Sequence, residues 1–285
     1  MLHDTIWVTD GNLRRTNLYR LDGSVISTQP WQFEDAAIAV STGRGRSFLQ
    51  GLFADGTGWG ESDGHTMTML RGGPELPKAV VRMSRSGRTL DTIASVPTSH
   101  SMFSVLFDGG MQFGQQRFAD GALVIGVPSL SHLYVVRREA ATNEGSGYVR
   151  VLALSATGDT LWARELPYAP RKLEKASADS FSNQMQTSLQ RSGASVEAIR
   201  RALCIPQFRP PVSQGFASED GMLWIRREEG RATVDYWVMT RDGTLTASTT
   251  VPTALTLTAA RGEQVWGEEK DADGVPFVVR FRIAK

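Results

Sequence analysis

Long apolar runs, cysteine and an excess of either charge are all absent or scarce in this sequence. No run of about 18 consecutive apolar residues occurs, which predicts that no helix of the chain crosses a membrane. The single cysteine, Cys204, excludes a disulfide within the chain and a zinc site built from several cysteines. The 31 Lys and Arg residues nearly balance the 30 Asp and Glu residues, so the basic excess typical of a nucleic-acid-binding protein is missing.

Lysine is also scarce, since only five of the 31 basic residues are lysine and the others are arginine. This bias has two interpretations. Guanidinium groups recognise phosphates and carboxylates well, but a GC-rich genome produces the same excess of arginine. Because the arginines are scattered along the chain rather than clustered, we favour the second interpretation.

The sequence does contain a repeat of two alternating strands joined by a short turn that ends in glycine. Its four copies span residues 18–28, 79–96, 149–166 and 234–251. β-branched and aromatic residues recur at every second position, which is typical of a β-hairpin. A second type of glycine turn recurs at 53–56, 118–121, 216–221 and 258–262. Two successive hairpins give four antiparallel strands, the signature of a propeller blade.

We therefore predict an all-β fold, a β-propeller of four-stranded antiparallel blades in a single domain over residues 1–285. Five blades are visible in the sequence, at about 4–31, 35–97, 113–167, 214–252 and 256–285. The first and the last show only three strands each. Because a ring must close to protect its sheet edges, we expect either closure with five blades or a sixth blade partly upstream of Met1. The missing inner strand of the first blade favours the second outcome.

A segment at about 171–205 breaks the strand alternation. Its apolar residues recur at helical spacing, at Phe181, Met185, Leu189, Val196, Ile199 and Leu203. Gly193 is placed to end a first helix and Ser195 to cap a second. We predict a helical hairpin inserted between the third and fourth blades, which packs on a propeller face as a lid. The alternative is a gate or a partner-binding element over the central channel.

The first hairpin carries Asp10, Arg15, Tyr19 and Gly23 in that order. This order resembles the NHL-type repeat of six-bladed β-propellers, in which an Asp and an Arg flank a turn and an aromatic strand ends at a glycine turn. The stretch 242–280 is similar to the last blades of uncharacterised bacterial six-bladed propellers. The resemblance implies a six-bladed fold and an exported protein with a longer N-terminus, although no export signal precedes the first strand here. It brings no catalytic residues.

Three aspartates stand before glycines in turns that the repeat makes equivalent, namely Asp55, Asp120 and Asp220. Such acids could ring one face and bind Ca²⁺, but aspartate before glycine also favours the turn itself, and we favour this role. Three histidines fall in different blades, namely His65, His100 and His132. A metal site would need them to converge on the channel mouth, and no spacing marks such a site. We therefore predict no metal ligands and no cofactor.

Other polar and aromatic residues receive structural interpretations. Cys204 follows apolar residues and is predicted to be a buried, unreactive thiol. The acidic stretch 268–273 is predicted to be a solvated loop. Five tryptophans in alternating strands are expected to pack between blades, namely Trp7, Trp162, Trp224, Trp237 and Trp266. Trp31 and Trp59 lie nearer to the predicted blade edges and are candidates for a surface binding platform.

No constellation of catalytic residues is visible, and the Gly-x-Ser-x-Gly motif of serine hydrolases is absent. We therefore predict a non-catalytic propeller that binds an unknown protein or small-molecule ligand, with no nucleic-acid partner. The alternative is a propeller hydrolase or lactonase with a metal at the central channel. The fold alone does not decide between them, because propellers serve both functions.

Overall fold

The structure is a computed structural model that describes residues 5–10, 13, 15–30, 47–62, 77–84, 88–97, 102–107, 110–129, 131–139, 141–191, 193–227 and 232–283. Within these ranges the chain forms twenty strands and two helices. Five of the sheets are blades, three with four strands and two with three, and each runs in chain order from its first strand to its last. The predicted all-β propeller of antiparallel blades is therefore confirmed, as are the two three-stranded blades at its ends.

The blades are numbered in chain order. Blade 1 contains β1 (Thr5–Asp10), β2 (Arg15–Arg20) and β3 (Val25–Pro30). Blade 2 contains β4 (Ser47–Leu52), β5 (Gly58–Ser62), β6 (Lys78–Met83) and β7 (Thr89–Val96). A separate hairpin follows, made of β8 (Met102–Phe107) and β9 (Gly110–Gln115).

The second half of the chain continues this order. Blade 3 contains β10 (Leu123–Gly126), β11 (His132–Arg137), β12 (Gly147–Ser155) and β13 (Thr160–Tyr168). The helices α1 (Lys175–Arg191) and α2 (Val196–Ala202) come next. Blade 4 contains β14 (Val212–Ala217), β15 (Leu223–Arg227), β16 (Thr233–Met239) and β17 (Leu245–Pro252). Blade 5 contains β18 (Thr256–Arg261), β19 (Gln264–Lys270) and β20 (Pro276–Arg282).

The first strands of blades 2 to 5 line the propeller axis. β4 contacts β10, β10 contacts β14, and β14 contacts β18. Apolar side chains on the facing sheets form one core between each pair of neighbouring blades, from blade 2 to blade 5. Trp224 and Trp237 are buried in two of these cores, and Trp162 packs against one of them. Packing between blades, as predicted for these three tryptophans, is confirmed.

The prediction that Trp59 forms a surface platform is wrong. Its side chain is buried in the core between blades 2 and 3, with 5% of its surface exposed. Room for the indole comes from glycine on the two adjacent inner strands, since a Cβ built on Gly126 would lie 2.8 Å from Trp59 Cζ2 and one built on Gly51 would be closer still. Trp31 lies outside the described residues.

The outer hairpin turns of blades 3 and 4 each contact the preceding blade. Gly158 and Gly243 have φ of 90° and 84°, which glycine adopts without strain. A Cβ on Gly158 would lie 2.7 Å from the carbonyl oxygen of Ile93 in β7, and one on Gly243 would lie 2.8 Å from the ring of Trp162 in β13. Trp162 Nε1 also donates a hydrogen bond of 2.7 Å to the carbonyl oxygen of Arg241. These turns therefore fix the spacing between neighbouring blades.

Helices α1 and α2 form the predicted hairpin, but its main contact differs from the prediction. Leu189 and Ile199 are buried against Phe103 and Val105 of the β8–β9 hairpin, in a small core of their own. The apolar stripe of the helices thus packs mainly on a second inserted hairpin. Ser195 caps α2 as predicted, since its side chain accepts a hydrogen bond of 3.2 Å from the backbone N–H of Ala198.

A short antiparallel ladder joins the two ends of this insert, and we call this ladder the neck. The backbone N–H of Leu173 donates to the carbonyl oxygen of Gln207 at 2.9 Å, and that of Arg209 donates to the carbonyl oxygen of Arg171 at 2.8 Å. Lys172 and Phe208 form an antiparallel bridge between these two bonds. The neck brings the two ends of the insert together beside the first strand of blade 4.

Blade 3 begins later than predicted. Its inner strand starts at Leu123, and the turn of its inner hairpin lies between Gly126 and His132. The turn at 118–121 therefore precedes the blade instead of lying between its first two strands.

Among the described residues, no helix is long and apolar enough to span a membrane.

Candidate functional site

The three aspartates of the sequence analysis do not occupy equivalent positions. Asp55 and Asp220 lie in the inner hairpin turns of blades 2 and 4, whereas Asp120 precedes blade 3. The prediction of equivalence is therefore wrong for Asp120, because the letters Phe-Ala-Asp-Gly recur there in a different structural place. The interpretation of Asp55 and Asp220 as turn residues agrees with their contacts, since Asp55 accepts from the backbone N–H of Thr57 and Asp220 accepts from the hydroxyl of Ser218.

Asp55 has protein partners on both of its carboxylate oxygens. Thr57 donates to Oδ1 from its backbone N–H at 2.8 Å and from its hydroxyl at 2.6 Å. Arg82 forms an ion pair with Oδ2. The hydrogen bond from the Thr57 hydroxyl, helped by Arg82, lowers the pKa of Asp55 against the opposing effect of burial. The carboxylate is thus held as part of the turn.

His132 is the one sequence-predicted histidine that lies within the described residues. Its ring is buried in blade 3, and burial, with a further contribution from the charge of Arg241, lowers its pKa to about 4. Nδ1 lies 2.7 Å from Ser131 Oγ, while Nε2 is buried without a hydrogen-bond partner among the described residues. A serine–histidine pair can activate a nucleophile, but it also needs a third group to orient the ring. The described residues contain no group of three or more His, Cys, Asp or Glu side chains that could hold a metal ion.

Two smaller predictions need correction. Cys204 is half-buried rather than buried. The acidic stretch 268–273 is not a single loop, because Glu268 and Glu269 belong to β19, where they pair with β20. Glu268 is exposed and Glu269 is half-buried.

A cleft of about 280 Å³ opens where the insert meets blades 3 and 4. Four segments line it: the turn before β10, the residue that follows β11, the first turn of α1, and the start of β14 with the residues before it. Three of these segments each contribute one arginine, namely Arg117, Arg138 and Arg209. Ser177 and Ser213 add hydroxyl groups to the same lining.

Arg138 is the fixed cation of the cleft. Its Nε donates to the carbonyl oxygen of Gly121 at 2.7 Å, and its Nη1 donates to that of Val212 at 2.8 Å. The guanidinium therefore ties blade 3 to the first strand of blade 4. Burial lowers its pKa, and the neighbouring carboxylate of Asp120 acts in the opposite direction. An arginine stays protonated under such conditions, so a positive charge is held at this wall.

Arg209 also lines the cleft, and the neck of the insert holds its backbone. Its Nη2 lies 3.2 Å from Ser177 Oγ and 3.5 Å from Glu174 Oε2. The second contact is a long ion pair, which leaves the guanidinium only partly neutralised. Three guanidinium groups thus face two nearby carboxylates, those of Asp120 and Glu174, and the balance of charge at the cleft is positive.

The remaining wall combines an aromatic ring and an unsatisfied hydroxyl. The guanidinium of Arg117 lies 5.9 Å from the ring centroid of Phe118, which in turn packs edge-on against Phe181 of α1. Ser213 Oγ is buried and has no hydrogen-bond partner among the described residues. Buried hydroxyl groups almost always find a partner, and Ser213 lines the cleft without one.

This cleft is not evident from the sequence. Its arginines come from segments that are far apart in the chain, and no local motif connects them. The one available signal was the excess of arginine over lysine, which we attributed to genome composition. Only the fold, which places the neck of the insert beside β11 and β14, brings these side chains together.

No protein-family model matches the sequence, and no curated protein matches it significantly. The class of the protein is defined by its structure, which is a β-propeller with five blades among the described residues. The resemblance to six-bladed NHL-type propellers of bacteria has no support from these comparisons and stays a prediction.

Proposed function

We propose that the protein is a ligand-binding propeller that takes an anionic group, a carboxylate or a phosphate, in the arginine-lined cleft. The observation that carries this proposal is the convergence of Arg117, Arg138 and Arg209 on one cleft of about 280 Å³. Guanidinium groups bind both anions through paired hydrogen bonds. The volume lies near the lower end of the range for small-molecule sites, so a small ligand fits it better than a folded domain.

Each wall of the cleft has a distinct part in this function. Arg138 is held by two backbone carbonyl groups and supplies a charge at a fixed position. Arg209 and Ser177 supply donors from the insert. Arg117 is exposed and is placed to cover the ligand from the solvent side. The six-bladed closure and the export that the resemblance implies are further predictions about the same protein, and the ligand proposal does not depend on them.

Titration calorimetry with inorganic phosphate and with citrate tests the proposal, and glucose serves as an uncharged probe. We expect binding of at least one of the two anions and no binding of glucose. Arg209→Met should weaken the anion by about tenfold or more, because a charge-assisted hydrogen bond is lost. Arg200→Met is the matched control, since Arg200 is an exposed arginine on α2 and does not line the cleft. Equal affinity in both variants, or equal binding of glucose, would contradict the proposal.

The alternative function, a hydrolase or lactonase with a metal at the central channel, makes a separate expectation. Such a protein would carry a metal ion in a fixed ratio to the chain. Elemental analysis of the purified protein measures that ratio directly. A stoichiometric metal together with unchanged anion binding in Arg209→Met would favour the enzyme over the binding protein.

A further inference from the structure

The third strand of blade 5 lies in a different environment from the third strands of the complete blades. In blades 2, 3 and 4 a fourth strand pairs with the third, whereas β20 is the edge of its sheet among the described residues. Every residue of β20 except Val279 is exposed, and Val278 is exposed to 77%. Phe277 and Phe281 are exposed to 43% and 44%. An open strand edge with such residues readily pairs with another strand.

The hydrogen bonds of β20 show which of its backbone groups face this edge. Ile283 donates its N–H to the carbonyl oxygen of Glu263 on the β19 side at 2.8 Å. Because the pairing with β19 is regular, the odd-numbered residues of β20 are bonded to β19. The backbone groups of Val278, Arg280 and Arg282 therefore point away from β19, towards the open edge.

The sequence of β20 is complementary to itself in one antiparallel register. When two copies of the strand pair about a two-fold axis at Val279, Phe277 of one copy lies opposite Phe281 of the other. Val278 lies opposite Arg280, and Pro276 lies opposite Arg282. Aromatic pairs across strands are favourable, and no two arginines face each other in this register.

The neighbouring registers are less favourable. An axis at Arg280 places the two Arg280 side chains directly opposite each other, and like charges in that position repel. An axis at Val278 removes the aromatic pairs and leaves Arg282 outside the paired region. The arginines at this edge therefore select the register with its axis at Val279 instead of preventing pairing.

We propose that β20 pairs with β20 of a second copy of this chain, antiparallel and with its two-fold axis at Val279. The two three-stranded sheets then form one six-stranded sheet across the dimer. The exposed groups of Val278 and Arg280 exchange backbone hydrogen bonds, and the two phenylalanine pairs cover each other on one face. A single symmetric contact of this kind forms a closed dimer rather than a fibre.

Sedimentation equilibrium over a wide concentration range tests the proposal with variants of Val278, which does not line the cleft. Val278→Arg places two arginines opposite each other at two symmetric positions and should weaken the dimer about tenfold. Val278→Glu pairs with Arg280 at both positions and should strengthen the dimer. The double variant Val278→Arg, Arg280→Glu should restore it, because opposite charges then meet again. Leu161→Arg and Leu161→Glu are the matched controls, since Leu161 is exposed on the outer strand of blade 3 and should change nothing.

Several results would overturn the proposal. A monomer at all concentrations, assemblies larger than a dimer, or equal effects of Val278→Arg and Val278→Glu would each contradict it. Hydrogen exchange of the wild-type protein gives an independent measurement. The amides of Val278 and Arg280 should become more protected as the protein concentration rises, and protection that is independent of concentration would show that another part of the same chain occupies the edge.

Discussion

Strands β16 and β20 are both the third strand of their sheets, and both are rich in β-branched and aromatic residues. Five of the seven residues of β16 are buried, whereas none of the seven residues of β20 is. In blade 4, β17 covers the edge of β16 and blades 3 and 5 lie on its faces. The burial of a propeller strand is therefore set by its neighbours more than by its own sequence.

The largest expected effect on stability comes from replacing one apolar side chain in each of these two regions. Ile225 is fully buried in the core between blades 3 and 4, so Ile225→Ala should lower the free energy of unfolding by about 2–5 kcal/mol. Phe277→Ala in β20 should cost about 1 kcal/mol, because 43% of this residue's surface is already exposed to water. Urea denaturation followed by tryptophan fluorescence, at a dilute protein concentration, measures both values. Equal losses would show that blade 5 is packed as tightly as blade 4.

The second prediction concerns His132, a buried residue whose contribution to stability should depend on pH. Burial lowers its pKa to about 4, from a value of 6.5 in the unfolded chain. Between these two values the unfolded chain binds a proton that the folded chain does not. The free energy of unfolding should therefore fall as the pH falls, by about 1.4 kcal/mol per pH unit from this residue.

Urea denaturation at several pH values within that interval checks this expectation, with His132→Gln as the control. The variant should lack the contribution of His132 and show a shallower decrease of stability. Parallel pH profiles for the wild type and the variant would show that the histidine takes up its proton equally well in the folded state.

The smallest expected effect is a difference in stability between two glycine-to-alanine variants, at positions with similar φ. Gly158 in blade 3 and Gly23 in blade 1 have φ of 90° and 84°. Alanine at either position should cost about 1–2 kcal/mol for the left-handed conformation alone. Gly158→Ala should cost more than Gly23→Ala, because its Cβ would lie 2.7 Å from the Ile93 carbonyl oxygen, while no atom lies within 4 Å of a Cβ at Gly23. Thermal melting of the two variants measures the difference, and equal shifts would mean that the turn of blade 3 moves away without cost.

The blades were predictable from the sequence because each of their signals is local. Alternating strands and glycine turns, such as those at Gly158 and Gly243, determine hairpins without reference to the rest of the chain. The β8–β9 hairpin was missed even though Asp108, Gly109 and Gly110 provide a turn signal between two alternating stretches. The predicted blade boundaries leave residues 98–112 outside any blade and place residues 113–115 in blade 3, so they divide the second strand of this hairpin.

The cleft and the position of Asp120 depend on contacts that no local pattern contains. The inner hairpin of blade 3 turns between Gly126 and His132, where the sequence has no glycine, so the sequence pattern favours the glycine turn at 118–121 by analogy with blade 2. Arg138 and Arg209 meet only because the neck of the insert returns the chain to the first strand of blade 4. Information of this kind lies in the three-dimensional arrangement of the segments.

The neck ladder at 171–173 and 207–209 makes the insert a closed loop whose ends stay together when its interior opens. The helices can therefore unfold locally, with their partner hairpin, while the inter-blade cores remain intact. Arg209 belongs to the ladder and Ser177 lies just inside the loop, so this opening separates the two sides of one wall of the cleft. An anion held between them raises the free energy of that opening by mass action. Slower proteolysis of α1 in the presence of the anion would therefore show that the cleft is occupied, independently of calorimetry.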